Sequence, residues 1–409
     1  MIASQTPSGA LTYRGRVVTP GGVLDDGLVV LEGERIAWVG AAEAAPQGID
    51  VPPAAPGPRA TIVPGLVDIH CHGGGGAGFP DVADAQAART AVAEHLAHGT
   101  TSLVASLVTA DAETLVRRTA MLAELAAAGE IVGIHLEGPF LSRARCGAQD
   151  PALMQAGSAA LVREVARVGG GWFATMTIAP EVPGVLGAGG ALEALAEVGA
   201  VPSIGHTDGS AELTEEALVA ARRALGAEGT RSGRPTATHL FNGMRALHHR
   251  DPGPVAACLA AAARGEAVVE LVADGVHLSP ATVRTVFDLV GPGSVALVTD
   301  AMAAAGMPDG RYDLGSMQVR VVDGVARLAD GDAIAGGTAH LLDVVRSTVA
   351  AGVPVAHAIE AATATPASVL GRTDIGALAA GLRADVLVLD DDLRPLEVVR
   401  GGRVVVPSA

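Results

Sequence analysis

Pro64-Gly65-Leu66-Val67-Asp68-Ile69-His70-Cys71-His72 is the stretch from which the 409-residue chain can be read. It is apolar enough for a buried strand, and along a strand residues i and i+2 share a face. Asp68, His70 and His72 are therefore expected on one side, with Val67, Ile69 and Cys71 on the other. Two imidazoles at the end of a strand that runs into Gly73-Gly74-Gly75-Gly76 form half of a metal site on a rigid support. The bland alternative is a pair of structural histidines, so the other half of the site has to be found elsewhere in the chain.

From residue 61 onward, apolar runs alternate with helical patterns, the signature of a parallel α/β fold. The runs are 62–70, 101–105, 131–137, 173–179, 201–206, 236–239, 268–273 and 295–300. Helical patterns between them include 81–97, 113–128 and 213–225, and a later segment, 340–370, reads as helical with a Thr365-Pro366 cap. Eight strands with intervening helices predict a (β/α)8 barrel, whose catalytic residues sit at the C-terminal ends of strands. His70 and His72, Glu137, His206, His239 and Asp300 all obey that rule.

Short strands before the barrel (Leu11–Thr19, 27–32 and 35–39) are expected to form half of a small β-domain. Residues 384–389 and 403–406 return to strand character and complete it. The expected organisation is thus residues 1–58 and 371–409 in a small β-sandwich built from both chain ends, around a catalytic barrel at 59–370. A Pro/Ala/Gly-rich connector at 52–58 joins the first two parts.

Aromatic residues are 2% of the chain, so the core must be Ala, Val and Leu, consistent with 49% hydrophobic content. No apolar run approaches the ~20 residues of a membrane span, and the N-terminus lacks the pattern of a signal peptide. Cys71, Cys146 and Cys258 make neither a disulfide framework nor a CxxC pair, which fits a cytoplasmic enzyme. A net charge of −16 without a basic stripe argues against nucleic acid, and an anionic substrate would need a local arginine clamp. All 28 Lys+Arg are arginine. Lysine Schiff-base chemistry, a Walker-type phosphate loop and a carboxylated-lysine metal bridge are therefore excluded.

The missing half of the site emerges from three strand ends. Glu137, in Ile134-His135-Leu136-Glu137-Gly138-Pro139, is costly to bury unless paired or metal-bound. His206, before Thr207-Asp208-Gly209, and His239, before Leu240-Phe241-Asn242-Gly243, join it. Two histidines and a carboxylate make a ligand set of the kind found in hydrolytic zinc sites. His70 and His72 could hold a second ion, bridged by Glu137 or hydroxide. Asp300 is placed to take a proton from the attacking water and return it to a leaving amine. His135 reads as a residue behind the ligands.

The ordered set PGLVDIHCH, HLEGPF, GHTDG, THLFNGM, DGVHL and VTDAM resembles the amidohydrolase superfamily and, within it, the N-acetylglucosamine-6-phosphate deacetylases. The likeness runs from about Gly27 to the C-terminus and includes the closing segments 362–371 and 381–390. It implies Glu137, His206 and His239 as principal metal ligands, His70 and His72 as a second set, and Asp300 as general acid/base. The ion would be divalent, zinc first with iron(II) or another ion as alternatives, at one or two per chain. The resemblance further implies that His277 contacts the substrate near the scissile carbonyl. Asn242, the Gly243 backbone and Arg250 would hold the 6-phosphate, with Arg250 reaching across a homodimer interface. The family's loop after HLEGPF usually reads lysine-glycine-alanine-histidine, where this chain has Cys146-Gly147-Ala148-Gln149. Gln149 thus stands where a sugar-contacting histidine is usual. Cys146, His248 and His249 are expected to be ordinary loop residues.

The implied reaction is removal of acetate from N-acetylglucosamine 6-phosphate. The alternatives are another N-acyl amino-sugar phosphate, such as the galactosamine epimer, a cyclic amide, or a catalytically silent sugar-phosphate-binding barrel.

Overall fold

The computed structural model describes residues 3–5, 10–53, 60–226 and 230–406; part of the expected connector, residues 54–58, lies outside them. Eight parallel strands form the barrel: Leu66–Cys71, Thr100–Leu107, Gly133–Glu137, Phe173–Ile178, Val201–Ile204, Thr236–Ala237, Val268–Leu271 and Val295–Leu297. They hydrogen-bond in sequence order. The ring closes just beyond the last strand. There Asp300 N donates to His70 O at 2.9 Å and His72 N to Ala301 O at 2.7 Å. Every residue of these strands is buried, which is why they read as continuous apolar runs without alternation.

The outer helices start where the sequence supplies caps. Asp84, Asp111, Ser158, Ser210 and Ser279 each accept a hydrogen bond from the N–H three residues on. Among the described residues no helix is long and apolar enough to cross a membrane.

A second sheet gathers both chain ends in the order Arg403–Val406, Pro395–Arg400, Val386–Leu389, Thr61–Pro64, Leu11–Thr19, Gly22–Glu32 and Arg35–Ala41, with Ala3–Gln5 on Leu11–Thr19. Leu28 and Val30 pack on one face, Val29 and Leu31 on the other, as strand alternation requires. The expected run 62–70 is therefore two strands. Thr61–Pro64 pairs with Val386–Leu389 and Leu11–Thr19, and only Leu66–Cys71 enters the barrel. Gly65 marks the change of sheet: its N–H turns to Asp385 O at 3.0 Å, and a Cβ there would sit 2.2 Å from Thr101 Oγ1.

Two further differences follow from local chemistry. The expected helical segment 340–370 is three helices, Leu341–Ala350, Val355–Ala361 and Ala364–Val369. Gly352 at φ +97° and Pro354 end the first, and Thr363, not Thr365-Pro366, precedes the third. After Asp300 the chain also makes an unanticipated three-stranded antiparallel sheet, Gly310–Leu314, Met317–Val322 and Val325–Leu328. Its tight turns hold Gly315 (φ +60°) and Gly324 (φ +73°).

Candidate metal and active site

The site is assembled at the C-terminal rim from strand ends bent toward a common point. His206 (φ 47°), His239 (φ 25°) and Asp300 (φ 48°) all carry positive φ, a conformation unfavourable for residues with a Cβ. Each follows the last residue of its strand by two or three positions, so the bend turns the side chain inward where continued strand would not. Around His206 two glycines leave room for the ring. A Cβ on Gly243 would lie 2.8 Å from His206 Nδ1, and one on Gly147 3.2 Å from His206 Cε1.

Two donor groups result, sharing Glu137. In the first, Glu137 Oε1 is 2.9 Å from His206 Nε2 and 2.8 Å from His239 Nε2, and those nitrogens are 3.1 Å apart. In the second, His70 Nε2 and His72 Nε2 are 3.1 Å apart. Asp300 Oδ1 lies 3.4 and 3.2 Å from them, and Glu137 Oε2 is 3.1 Å from His72 Nε2. All of these side chains are buried or nearly so.

The far side of three of the four rings shows why a cation fits, while His239 Nδ1 is buried without a partner among the described residues. His72 Nδ1 faces Ser106 O at 3.2 Å and His206 Nδ1 faces Arg145 O at 2.8 Å. A carbonyl can only accept, so these Nδ1 atoms carry the hydrogen. His70 Nδ1 likewise donates to Glu270 Oε2 at 3.0 Å. The Nε2 lone pairs then converge pairwise on carboxylate oxygens, an arrangement that a divalent ion satisfies. The electrostatics agree. Burial alone pushes these imidazoles down, yet Asp300 and Glu137 outweigh it and raise His70, His72 (to about 9) and His206. A field that holds extra protons there is equally suited to a cation. Burial pushes Asp300 up, but His70 and His72 prevail and hold its carboxyl well below the usual range.

Asp68 departs from expectation. The strand's register slips between Asp68 and Cys71, and Asp68 turns away from the donor groups to accept from Thr299 Oγ1 at 2.6 Å and His70 N at 3.2 Å. Cys71 joins the strand–helix layer, while Val67 and Ile69 pack in a separate apolar cluster. His135 sits behind the ligands, its ring 4.4 Å from that of His70, bonded to Ser106 Oγ and Thr177 Oγ1. Burial and the neighbouring His70 push it well below its ordinary value.

A cavity of about 260 Å³ opens over the donors, lined also by Gln149, Asn242, Gly243 and His277. Asp274 Oδ2 accepts from His277 Nδ1 at 2.9 Å. Burial lowers His277, but Asp274 and Asp300 more than compensate and raise it. Gln149 donates to Glu137 Oε2 at 2.6 Å. Asn242 Nδ2 donates to His239 O at 3.1 Å, bracing the loop. Arg250 does not line this cavity; it is exposed, 2.9 Å from His249 Nε2.

Sequence reasoning missed several contributors. Glu270, 2% exposed, orients His70 and accepts from His239 N at 3.2 Å; a lone acid in Val268–Leu271 was the available signal. Leu314, Ile334 and Gly336, from the unanticipated sheet and the loop after it, cover the cavity. Ser106 serves through its backbone carbonyl, which no motif encodes.

The sequence pattern of the amidohydrolase family matches residues 61–405. The structure is similar to that of a mutant Mycobacterium smegmatis N-acetyl-D-glucosamine-6-phosphate deacetylase in complex with N-acetyl-D-glucosamine-6-phosphate. The TM-score is 0.86 at 41% identity, covering 97% of this chain and 99% of that one. The chain is also 30% identical to N-acetylglucosamine-6-phosphate deacetylase of Lysinibacillus sphaericus, over 85% of this chain and 86% of the relative. It is 34% identical to N-acetylgalactosamine-6-phosphate deacetylase of Escherichia coli O157:H7, over 82% and 85%.

Proposed function

The chain belongs to the amidohydrolase family, and from that premise we propose that it hydrolyses N-acetylglucosamine 6-phosphate to glucosamine 6-phosphate and acetate. One observation carries the reading: two Nε2 pairs share Glu137 beside Asp300, and all of these residues but His70 line one cavity. Glu137, His206 and His239 would hold a divalent ion, zinc being the first choice for this donor set, and His70 with His72 a second. When bound, such an ion supplies Lewis-acid polarisation of the acetamide carbonyl and acidifies the attacking water.

The chain's own residues do the rest. Asp300, as a carboxylate, accepts the proton of the attacking water while the new C–O bond forms, and passes it to the nitrogen as the C–N bond breaks. His277, steered by Asp274 through Nδ1, presents Nε2 to the developing oxyanion. Leu314 and Ile334 add apolar wall to the cavity. Asn242 and the Gly243 backbone, on the cavity wall, would hold the phosphate end. Arg250, outside this chain's own cavity and free of any carboxylate partner among the described residues, suits a phosphate in a second copy's site. The three unbridged cysteines suit a reducing, cytoplasmic setting.

The galactosamine epimer is the second reading, favoured by the 34% identity to a deacetylase of that substrate. Acetate release from both 6-phosphates, and from unphosphorylated N-acetylglucosamine, tests the assignment. The gluco 6-phosphate should give the highest kcat/KM, and its absence from the substrates turned over would refute the proposal.

A further inference from the structure

Glu137 serves the two donor groups through different oxygens. Oε1 faces His206 and His239, whereas Oε2 lies 3.1 Å from His72 Nε2 and 3.9 Å from His70 Nε2. A further contact falls on Oε2: Gln149 Nε2 at 2.6 Å. The orientation of that amide is fixed from its other end. Gln149 Oε1 accepts from the Thr109 backbone N–H at 2.8 Å. Since a backbone N–H can only donate, the amide nitrogen is the atom that faces Glu137. Thr109 Oγ1 also donates to the Glu137 carbonyl at 3.1 Å, so the side chain and backbone of Glu137 are both tied to the end of the second barrel strand. Gln149 is only 4% exposed, so the bond to the carboxylate is made largely out of water's reach.

A carboxylate oxygen that accepts a short N–H bond has less charge to offer a cation. Oε2 is the Glu137 oxygen nearer His70 and His72, where Asp300 Oδ1 is the other carboxylate donor. We infer that Gln149 is a positioning residue: it locks the Glu137 carboxylate against Thr109 and makes the two cation positions unequal, tight at Glu137–His206–His239 and weak at His70–His72. This rests on the metal-site reading above, and it gives Gln149 a task other than the sugar contact that the family resemblance suggests for its position.

The test is metal affinity. Gln149→Met keeps the length of the side chain and removes both hydrogen bonds. Metal-free protein is titrated with Zn2+ against a chromophoric chelator to obtain a dissociation constant for each position, alongside kcat and KM. In Gln149→Met the tighter position, whose Glu137 loses its orienting partner, should loosen about tenfold or more while the weaker one holds or tightens, narrowing their ratio. Gln149→Ala should move the ratio the same way if the methionine crowds the loop. A ratio within twofold of wild type in a folded variant, with KM raised, would make Gln149 a sugar contact and overturn the inference. Wild-type protein that binds no divalent ion would overturn the metal-site reading, and the inference with it.

Discussion

Gly243→Ala should cripple the metal site without touching any ligand. Gly243 has φ +59°, and a Cβ there would stand 2.8 Å from His206 Nδ1, against the 3.4 Å at which ordinary contact begins. The left-handed backbone alone costs an L-residue about 1–2 kcal/mol. The steric effect comes on top, because the His206 ring is held between Arg145 O at 2.8 Å and Glu137 Oε1 at 2.9 Å. To make room, the ring must move by roughly half an ångström, the limit within which a site keeps its geometry. A displaced ligand of this kind should cost about 10–100-fold in metal affinity, comparable to losing its orienting partner. Gly129→Ala is the control, since Gly129 has φ +75° with nothing within 4 Å of its Cβ. It should lower the melting temperature by a similar backbone cost and leave metal content unchanged. Gly147→Ala, with a 3.2 Å contact to His206 Cε1 and φ +57°, should fall between the two. The assay is bound metal after dialysis against a limiting chelator, beside thermal melts. If Gly243→Ala melts like Gly129→Ala and retains metal within twofold of wild type, the packing argument is wrong.

Asp300→Asn should reduce kcat by about 10²–10⁴-fold with the ion at Glu137, His206 and His239 retained; a variant keeping more than about a tenth of the wild-type rate places the proton transfer elsewhere. Arg250→Ala should raise KM for the phosphorylated substrate far more than it lowers kcat. Mixed with Asp300→Asn, it should regain activity in verified heterodimers, and no regain would place Arg250 outside the partner's site. His340 joins Glu94 of helix Ala85–Ala97, at 2.8 Å, to Asp343 of helix Leu341–Ala350, at 3.4 Å. Burial lowers it, but Asp343 and Glu94 raise it above its ordinary value. A raised folded value means the stabilisation is complete below the unfolded pKa of about 6.5 and fades as pH climbs through the folded one. His340→Gln should therefore depress the melting temperature more at pH 6 than at pH 9, and a pH-independent difference would refute the pairing.

The barrel was legible because its strands are buried on both faces, so each is an apolar run bounded by helical periodicity. The same property hid the junction at Gly65. Thr61–Pro64 and Leu66–Cys71 are both wholly buried, and nothing in their composition says that they belong to different sheets. Met317–Val322, by contrast, alternates exposed and buried positions and sits between glycine turns. That pattern is a hairpin signal that the sequence carries.

In the site, sequence reading found the kinds of donor but not the atoms. Strand-end position was enough to bring His70, His72, Glu137, His206, His239 and Asp300 together, because a barrel converges its strand ends whatever the loops do. Strict alternation failed for Asp68, since a register slip of the strand against its neighbour breaks the two-residue period on which that expectation stood. Which imidazole nitrogen is free depends on acceptors that are mostly backbone: Ser106 O and Arg145 O would be present whatever side chains stood there. Glu137 makes the same point more sharply. Its two oxygens are identical in the sequence and become different only because Oε1 meets His206 and His239 while Oε2 meets His72 and Gln149. A reading by motif treats Gln149 as a lost histidine; in three dimensions it is one of the groups that distinguish one carboxylate oxygen from the other.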